Sequence, residues 1–213
     1  MLYALCVFVL IVDMTVARTP IRHWLVAMPD SVMPLLTKNN RLDFVDFLDC
    51  GMEAVVTNRL DGKSQMRTLT EDYLFMNYTG VSEVEMKLFP VSDTTDVLCM
   101  VTTMKVGVCD SRVDFFDEAW HPLDVTDFFD APQSEAFRTA ERNDSADAAW
   151  AKMDVYLKRY ILSSGENVLA CRLTTLDYLN LEDRKKVSPY LKTEEIVYRW
   201  EDGRFVEHSS SSF

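Results

Sequence analysis

Histidine is scarce, with three in 213 residues. His23 lies close to an N-terminal apolar run and His208 lies in the tail, so His121 alone is placed for acid–base work. A triad or dyad built on it would draw on Asp117, Asp124 or Asp127, with Cys109 or Ser111 as nucleophile. No spacing selects that arrangement. Pro122 directly follows His121, excludes helix there, and makes a surface turn at a strand end the simpler reading. Known reaction motifs are missing too: there is no GxSxG elbow, P-loop, HExxH, EF-hand loop or Rossmann fingerprint. No metal site and no cofactor is therefore expected. The chain holds 34 acids, so a pair suited to carboxylate hydrolysis would arise anyway and carries no information.

Cations are outnumbered, 22 to 34, which gives a net charge of −12. An acidic chain with no basic stripe is a poor partner for nucleic acid or an anionic membrane. Long apolar runs are also lacking. Leu2 to Val12 is almost wholly apolar but too short to span a bilayer comfortably. Thr15-Val16-Ala17 follows it in the small-residue pattern of a cleavage site. Residues 1–17 thus read as a signal peptide cleaved near Ala17, leaving a periplasmic or secreted protein that begins near Arg18 and has no membrane span. Two details fit this poorly: no Lys or Arg precedes the run, and Asp13 interrupts its end. The competing reading is a buried N-terminal strand or helix. Cleavage would leave Cys50, Cys99, Cys109 and Cys171, none spaced as CxxC. A bridge between Cys99 and Cys109 stays open. Free, mostly buried thiols are favoured, because a chain this long does not need staples.

The most informative stretch runs from Met28 to Leu69. Asp30 and Ser31 are suited to cap a short helix carrying Val32, Met33, Leu35 and Leu36, with Pro34 in its first turn. Asn40 can cap a second helix, whose Leu42, Val45, Leu48 and Met52 form an apolar stripe widened by Phe44 and Phe47. Asp43, Asp46, Asp49 and Glu53 fall between them, as on the solvated back of an amphipathic helix. Gly51 is a natural stop. The period then changes to two, and Asp61-Gly62 signals a two-residue hairpin between Ala54–Leu60 and Lys63–Leu69. Further strands are expected at Tyr73–Tyr78, Glu83–Phe89, Val97–Met104 and Arg112–Asp117, linked as an antiparallel meander. In Glu83–Phe89 the alternation sets Val84, Met86 and Leu88 against Glu83, Glu85 and Lys87, as in a sheet with one wet face.

The pattern fades over 127–144, a candidate linker or lid. A helix capped at Asp144 or Ser145 then carries Ala149, Met153, Tyr156, Leu157 and Tyr160 on one side. A strand at Asn167–Thr174 follows, then a short helix capped by Asn180, a strand at Glu194–Trp200, and a turn at Asp202-Gly203 into Arg204–Val206. The serine-rich end, 207–213, reads as a disordered tail. Tyr73, Phe75, Tyr78, Phe115, Trp120, Tyr198 and Trp200 could line a carbohydrate or lipid groove, but at alternating strand spacing they read better as core. The expected fold is a single α+β domain over 18–206: a mostly antiparallel sheet of about eight strands with three or four helices packed on one face.

Four consecutive segments, MPDSVMPLLTKNNRLDFVDF, VTNRLDGKSQMRTLTEDYL, EVEMKLFPV and DSRVDFFDEAWHPL, resemble an uncharacterised family of exported proteins from Bacteroides- and Prevotella-type bacteria. The family carries a domain-of-unknown-function label, and the likeness runs from about Trp24 to Val206. It implies a single-domain, envelope-associated or secreted protein, and no reaction. Asn58, Arg59, Asp61, Gly62 and Tyr73 match its most recognisable segment, where they serve either the turn and its packing or a binding surface. The expected function is a non-catalytic module that binds an envelope protein, lipid or glycan. The alternative is an envelope hydrolase using acids and His121.

Overall fold

A computed structural model describes residues 18–208, so the expected leader and the last five residues of the tail lie outside the described residues. Seven antiparallel strands follow one another in space as in sequence: β1 (Val55–Thr57), β2 (Lys63–Leu69), β3 (Tyr73–Thr79), β4 (Ser82–Pro90), β5 (Asp96–Val106), β6 (Val108–Phe116) and β7 (Pro122–Leu123). A second antiparallel sheet has the order β11-β10-β9-β8, from β8 (Lys158–Leu162), β9 (Val168–Leu173), β10 (Ile196–Glu201) and β11 (Arg204–His208). Six helices complete the described residues: α1 (Ile21–Ala27), α2 (Lys38–Asp49), α3 (Val125–Phe128), α4 (Asp144–Trp150), α5 (Thr175–Tyr178) and α6 (Leu181–Val187). The fold is α+β as expected, but with two sheets, eleven strands and more helices than the pattern announced.

The first sheet is buried on both faces. Met66, Leu74, Met76, Val84, Met86, Leu88, Leu98 and Met100 face α1 and α2, where Trp24, Leu25 and Phe44 close a first core. Trp120 reaches the same core from a backbone at φ +64°, and its indole lies edge-on to Trp24 at 6.2 Å. That left-handed conformation is costly for a bulky residue, and burial of the indole offsets the strain. On the other face Tyr73, Cys99, Val101, Val113 and Phe115 meet Tyr160, Leu162, Leu169, Cys171 and Tyr198 of the second sheet. The expected wet face is thus wrong: Glu85 is 6% exposed and Lys87 1%. Alternation shows that two faces differ. It does not show that the polar one is solvated when a second sheet lies over it.

How the second sheet seats explains those polar positions. Strand β8 is an edge, and an edge presents unpaired N–H groups. Three of these, at alternate residues, are taken up by side chains of the first sheet. Lys158 N donates to Asp110 Oδ1 (3.1 Å), Tyr160 N to Ser111 Oγ (3.2 Å) and Leu162 N to Glu85 Oε2 (3.0 Å). Thr174 Oγ1 adds a bond to the Cys109 carbonyl. The sheets are therefore stitched together as well as packed.

Other boundaries moved for local reasons. The segment expected as a short helix over 32–36 is a run of turns, and the cap of α2 is Thr37, which forms a reciprocal capping box with Asn40. The buried side of α2 is Arg41 and Phe44, while Leu42 and Met52 are exposed. The long helix expected over 145–160 stops at Trp150, because Tyr160 and Leu162 alternate as a strand against the first sheet. The stretch 127–144 sends Phe129 and Phe137, 2% and 1% exposed, into the second core. Glu207 and His208, expected in the tail, belong to β11 and pair with Tyr198 and Val197. Cys50, Cys99, Cys109 and Cys171, the four cysteines among the described residues, are free thiols, and Cys99 stands opposite Phe115 in the ladder, not opposite Cys109.

Candidate interaction surface

Strand β1 ends at Thr57, three residues earlier than expected, and 58–62 becomes a five-residue loop. Its cause is Asn58. The Asn58 Oδ1 accepts from Leu60 N (3.0 Å) and Gly62 N (3.2 Å), and Nδ2 donates to Ser64 Oγ (3.1 Å). Backbone bonds Asn58 N to Gly62 O and Asp61 N to Asn58 O close the same ring. A short polar side chain that satisfies nearby amides competes with the ladder, and here it wins. Asp61 takes φ +57°. The same dipeptide at Asp202-Gly203, with no such neighbour, does form a two-residue turn, with Glu201 opposite Arg204 and both φ positive.

The loop is tied to the segment that precedes α2. Arg59 N donates to the Leu35 carbonyl (3.0 Å), and Tyr78 Oη accepts from Leu35 N (2.9 Å). Asp30 joins two guanidiniums: Oδ1 accepts from Arg41 (2.9 Å) and Oδ2 from Arg59. Hydrogen bonding to Arg41 holds the Asp30 carboxyl below its usual range. The outcome is a fixed platform carrying Arg59, half-exposed, then Leu60, 74% exposed, then exposed Asp61. Asn58→Ala is expected to destabilise the protein by about 2 kcal/mol, since it leaves buried polar groups without partners. Urea unfolding measures this, and a loss within about 0.5 kcal/mol, the level of an ordinary surface change, would contradict the role given to Asn58.

The four expected binding residues do not form one site. Asn58, Arg59 and Asp61 share the loop, with Asn58 (5% exposed) as its internal brace. Tyr73 lies elsewhere, buried between the sheets, where its hydroxyl donates to Glu85 Oε2 (3.2 Å). Burial pushes the Tyr73 hydroxyl up, and raises Glu85 to about 7. The sequence reading gave Asp30 a capping role and Leu60 a place in a strand, and it did not single out Arg41. An arginine between the cap and the first phenylalanine of an apolar helix stripe was the signal for Arg41.

His121 is not brought to a nucleophile. Its ring Nδ1 lies 2.9 Å from Asp117 Oδ2, its backbone N donates to Asp117 Oδ1, and its side chain is 75% exposed. Asp117 and His121 brace a surface turn after β6. Ser111 and Cys109 lie toward the opposite end of that strand, roughly 20 Å away at 3.3 Å per residue, and Ser111 Oγ is engaged by Thr103 and Tyr160 N. Among the described residues no group of three or more His, Cys, Asp or Glu is arranged to hold a metal ion. Nor, among them, is any helix long and apolar enough to cross a membrane.

A family model described as "Protein of unknown function (DUF3256)" matches residues 14–205. The chain belongs to this family. A solved structure, titled as a domain of an uncharacterized protein from Porphyromonas gingivalis W83, is similar to this DUF3256 chain with a TM-score of 0.80 and 29% identity. The likeness covers 88% of this chain and 98% of that one. No curated protein matches.

Proposed function

We propose that this protein is an exported, non-catalytic interaction module that is periplasmic or secreted after cleavage near Ala17. Its contact point is the loop 59–61, and its partner an envelope protein. The observation that carries the reading is Leu60: a large apolar side chain, 74% exposed, on a loop whose backbone is satisfied from within. Folding does not need Leu60 there. A rigid apolar tip flanked by Arg59 and Asp61 meets a partner with little ordering cost, which is how a small contact gains affinity. The apolar run Leu2–Val12 and the Thr15-Val16-Ala17 pattern support export.

A photo-crosslinking residue at position 60, expressed in the native host, tests this. The expected result is a discrete envelope-protein adduct that is absent when the crosslinker sits at exposed Glu166, in the turn between β8 and β9, and lost with Arg59→Ala. The same adducts from both positions, or none from position 60, would sink the proposal. Sequencing the mature N-terminus checks the cleavage near Ala17.

A further inference from the structure

In a chain of net charge −12, a recess lined by cations with no carboxylate among them is anomalous. The groove between α4 and α6 is such a place. It has a volume of about 440 Å³, and Lys152, Lys185 and Lys186 wall it. Ala149 and Tyr190 give it an apolar side and Ser145 a hydroxyl, and no Asp or Glu lines it. The contrast is the recess beside Arg18, about 330 Å³, where Glu71, Asp72 and Asp96 stand with a single arginine that pairs with Asp96.

The lysines are placed from outside the groove. Lys152 Nζ lies 2.8 Å from Asp183, and Lys186 pairs with Glu182 one helical turn away; neither acid lines the groove. Lys185 has no ion-pair partner among the described residues. The groove exists because α4 offers alanines where it faces α6: Ala146 and Ala149 are buried, and so is Val187 across from them. Pro189 and Tyr190 extend the floor in a 3-10 turn after α6.

We propose that this groove binds an anionic saccharide, a sugar ring bearing a carboxylate or a sulfate. Among the described residues Lys185 supplies the unpaired ammonium, while Lys152 and Lys186 add N–H donors whose charge is shared with Asp183 and Glu182; ammonium groups lack the fixed fork of arginine, so they select charge and tolerate varied geometry. Ala148, Ala149, Pro189 and Tyr190 give the recess an apolar side against which the C–H face of a sugar can pack. The volume lies in the range of small-ligand sites, about 300–1,000 Å³. An acidic peptide is the less suitable occupant. Peptides are recognised along a free sheet edge or in an extended groove with successive anchor pockets, whereas eight residues line this recess, a size suited to one or two sugar rings.

Isothermal titration of the purified protein with four probes tests the assignment: a galacturonate trimer, a sulfated disaccharide, a neutral glucose trimer and a hexaglutamate peptide. One or both anionic sugars are expected to bind, with the neutral trimer and the peptide at least tenfold weaker. Binding is expected to weaken as salt is raised, since the contacts are electrostatic and solvent-facing. Lys185→Glu is expected to weaken it about tenfold, a loss of about 1.4 kcal/mol. Lys38→Glu, with the same change in net charge at a remote exposed site, is expected to leave it within twofold. Thermal unfolding of both variants controls for folding. No binding of either anionic sugar, equal binding of the neutral trimer, tighter binding of the peptide, or an equal loss with Lys38→Glu would each overturn the proposal. Crosslinking at position 60 is independent of all four outcomes.

Discussion

Glu85→Gln is expected to make the protein more stable than the wild type at pH 8 and to leave it about equally stable at pH 4.5. Glu85 lies between the two sheets, 6% exposed, with no cation in hydrogen-bonding contact. Burial raises its carboxyl to about 7 from an ordinary 4.5; the amide of Leu162, the hydroxyl of Tyr73 and the charge of Arg159 oppose the shift without cancelling it. The folded protein therefore holds this proton more tightly than the unfolded chain does. The stabilising contribution of the protonated form is complete below about pH 4.5 and is lost as pH rises to about 7. At 1.36 kcal/mol per unit, that loss is about 3 kcal/mol. Glutamine can place its one oxygen where Oε2 stands and accept there from both Leu162 N–H and the Tyr73 hydroxyl, so the stitch to β8 survives without the charge. Urea unfolding of both proteins from pH 4.5 to 8 measures the effect, and taking the difference between them cancels every other titrating group. Parallel pH profiles would show that Glu85 is charged at no cost and that the account of this interface is wrong. Glu85→Ala, by contrast, should destabilise at both pH values, because it strands the Leu162 amide.

That interface also marks where the sequence ceased to be readable. The meander β2 to β6 was visible, because strand alternation and turn residues are local signals. The caps at Asn180 and the Asp202-Gly203 turn were visible for the same reason. Glu85 and Lys87 were placed in water, although the pattern around them was read correctly in period. Their burial depends on a sheet that arrives about 75 residues later, and no local window contains it. β8 itself was read as helix, since 149, 153, 156 and 160 fit a helical stripe as well as Tyr160 and Leu162 fit an alternation. Only contact with β4 and β6 decides between them.

The candidate surface shows the same division. That the chain turns at Asp61-Gly62 was legible, and so was the choice between turn chemistry and binding for the residues around it, but Asn58, Arg59 and Leu60 were read as strand. The kind of turn was not, because a side chain four positions before Gly62 replaced the expected ladder bonds. Tyr73 belonged by sequence to the same segment, yet the pleat sent it to the far face of the sheet from the loop's anchors. The lysine groove was invisible for another reason. Lys152 and Lys185 are 33 positions apart, and only the pairing of α4 with α6 joins them. Net charge sums over the whole chain and cannot show where cations gather locally.

Arg41→Ala is expected to cost about 3–5 kcal/mol, the range for breaking a buried charge network from one side. Arg41 is 2% exposed at the start of α2. Its Nη1 donates to the Leu36 carbonyl (2.7 Å) and to Asp30 Oδ1 (2.9 Å), and its Nη2 donates to the Met28 carbonyl. Residues 28–37 form neither helix nor strand, so few of their backbone groups are paired internally: Val32 N to Pro29 O and Leu36 N to Met33 O are two that are. One guanidinium thus supplies donors that regular structure would have supplied, and alanine leaves two carbonyls buried and unpaired. Lysine keeps the charge but not the fork, so Arg41→Lys should recover less than half of the loss. Hydrogen exchange should locate the effect, with faster exchange at the Val32, Leu36 and Arg59 amides and unchanged protection in β9 and β10. The same variant frees Asp30 from its main partner, leaving it Arg59 alone. Asp30 contributes stability above its ordinary pKa of 3.8 and loses it as pH falls through its lowered value, the opposite sign to Glu85. Wild type and Arg41→Ala should therefore approach one another in stability as pH falls below the ordinary 3.8 and through the lowered value, where protonated Asp30 no longer holds the guanidinium as an ion pair. If Arg41→Ala unfolds within about 1 kcal/mol of the wild type, the segment before α2 is held by apolar contacts from Met28, Met33 and Leu36 alone, and the loop 58–62 has lost its proposed foundation.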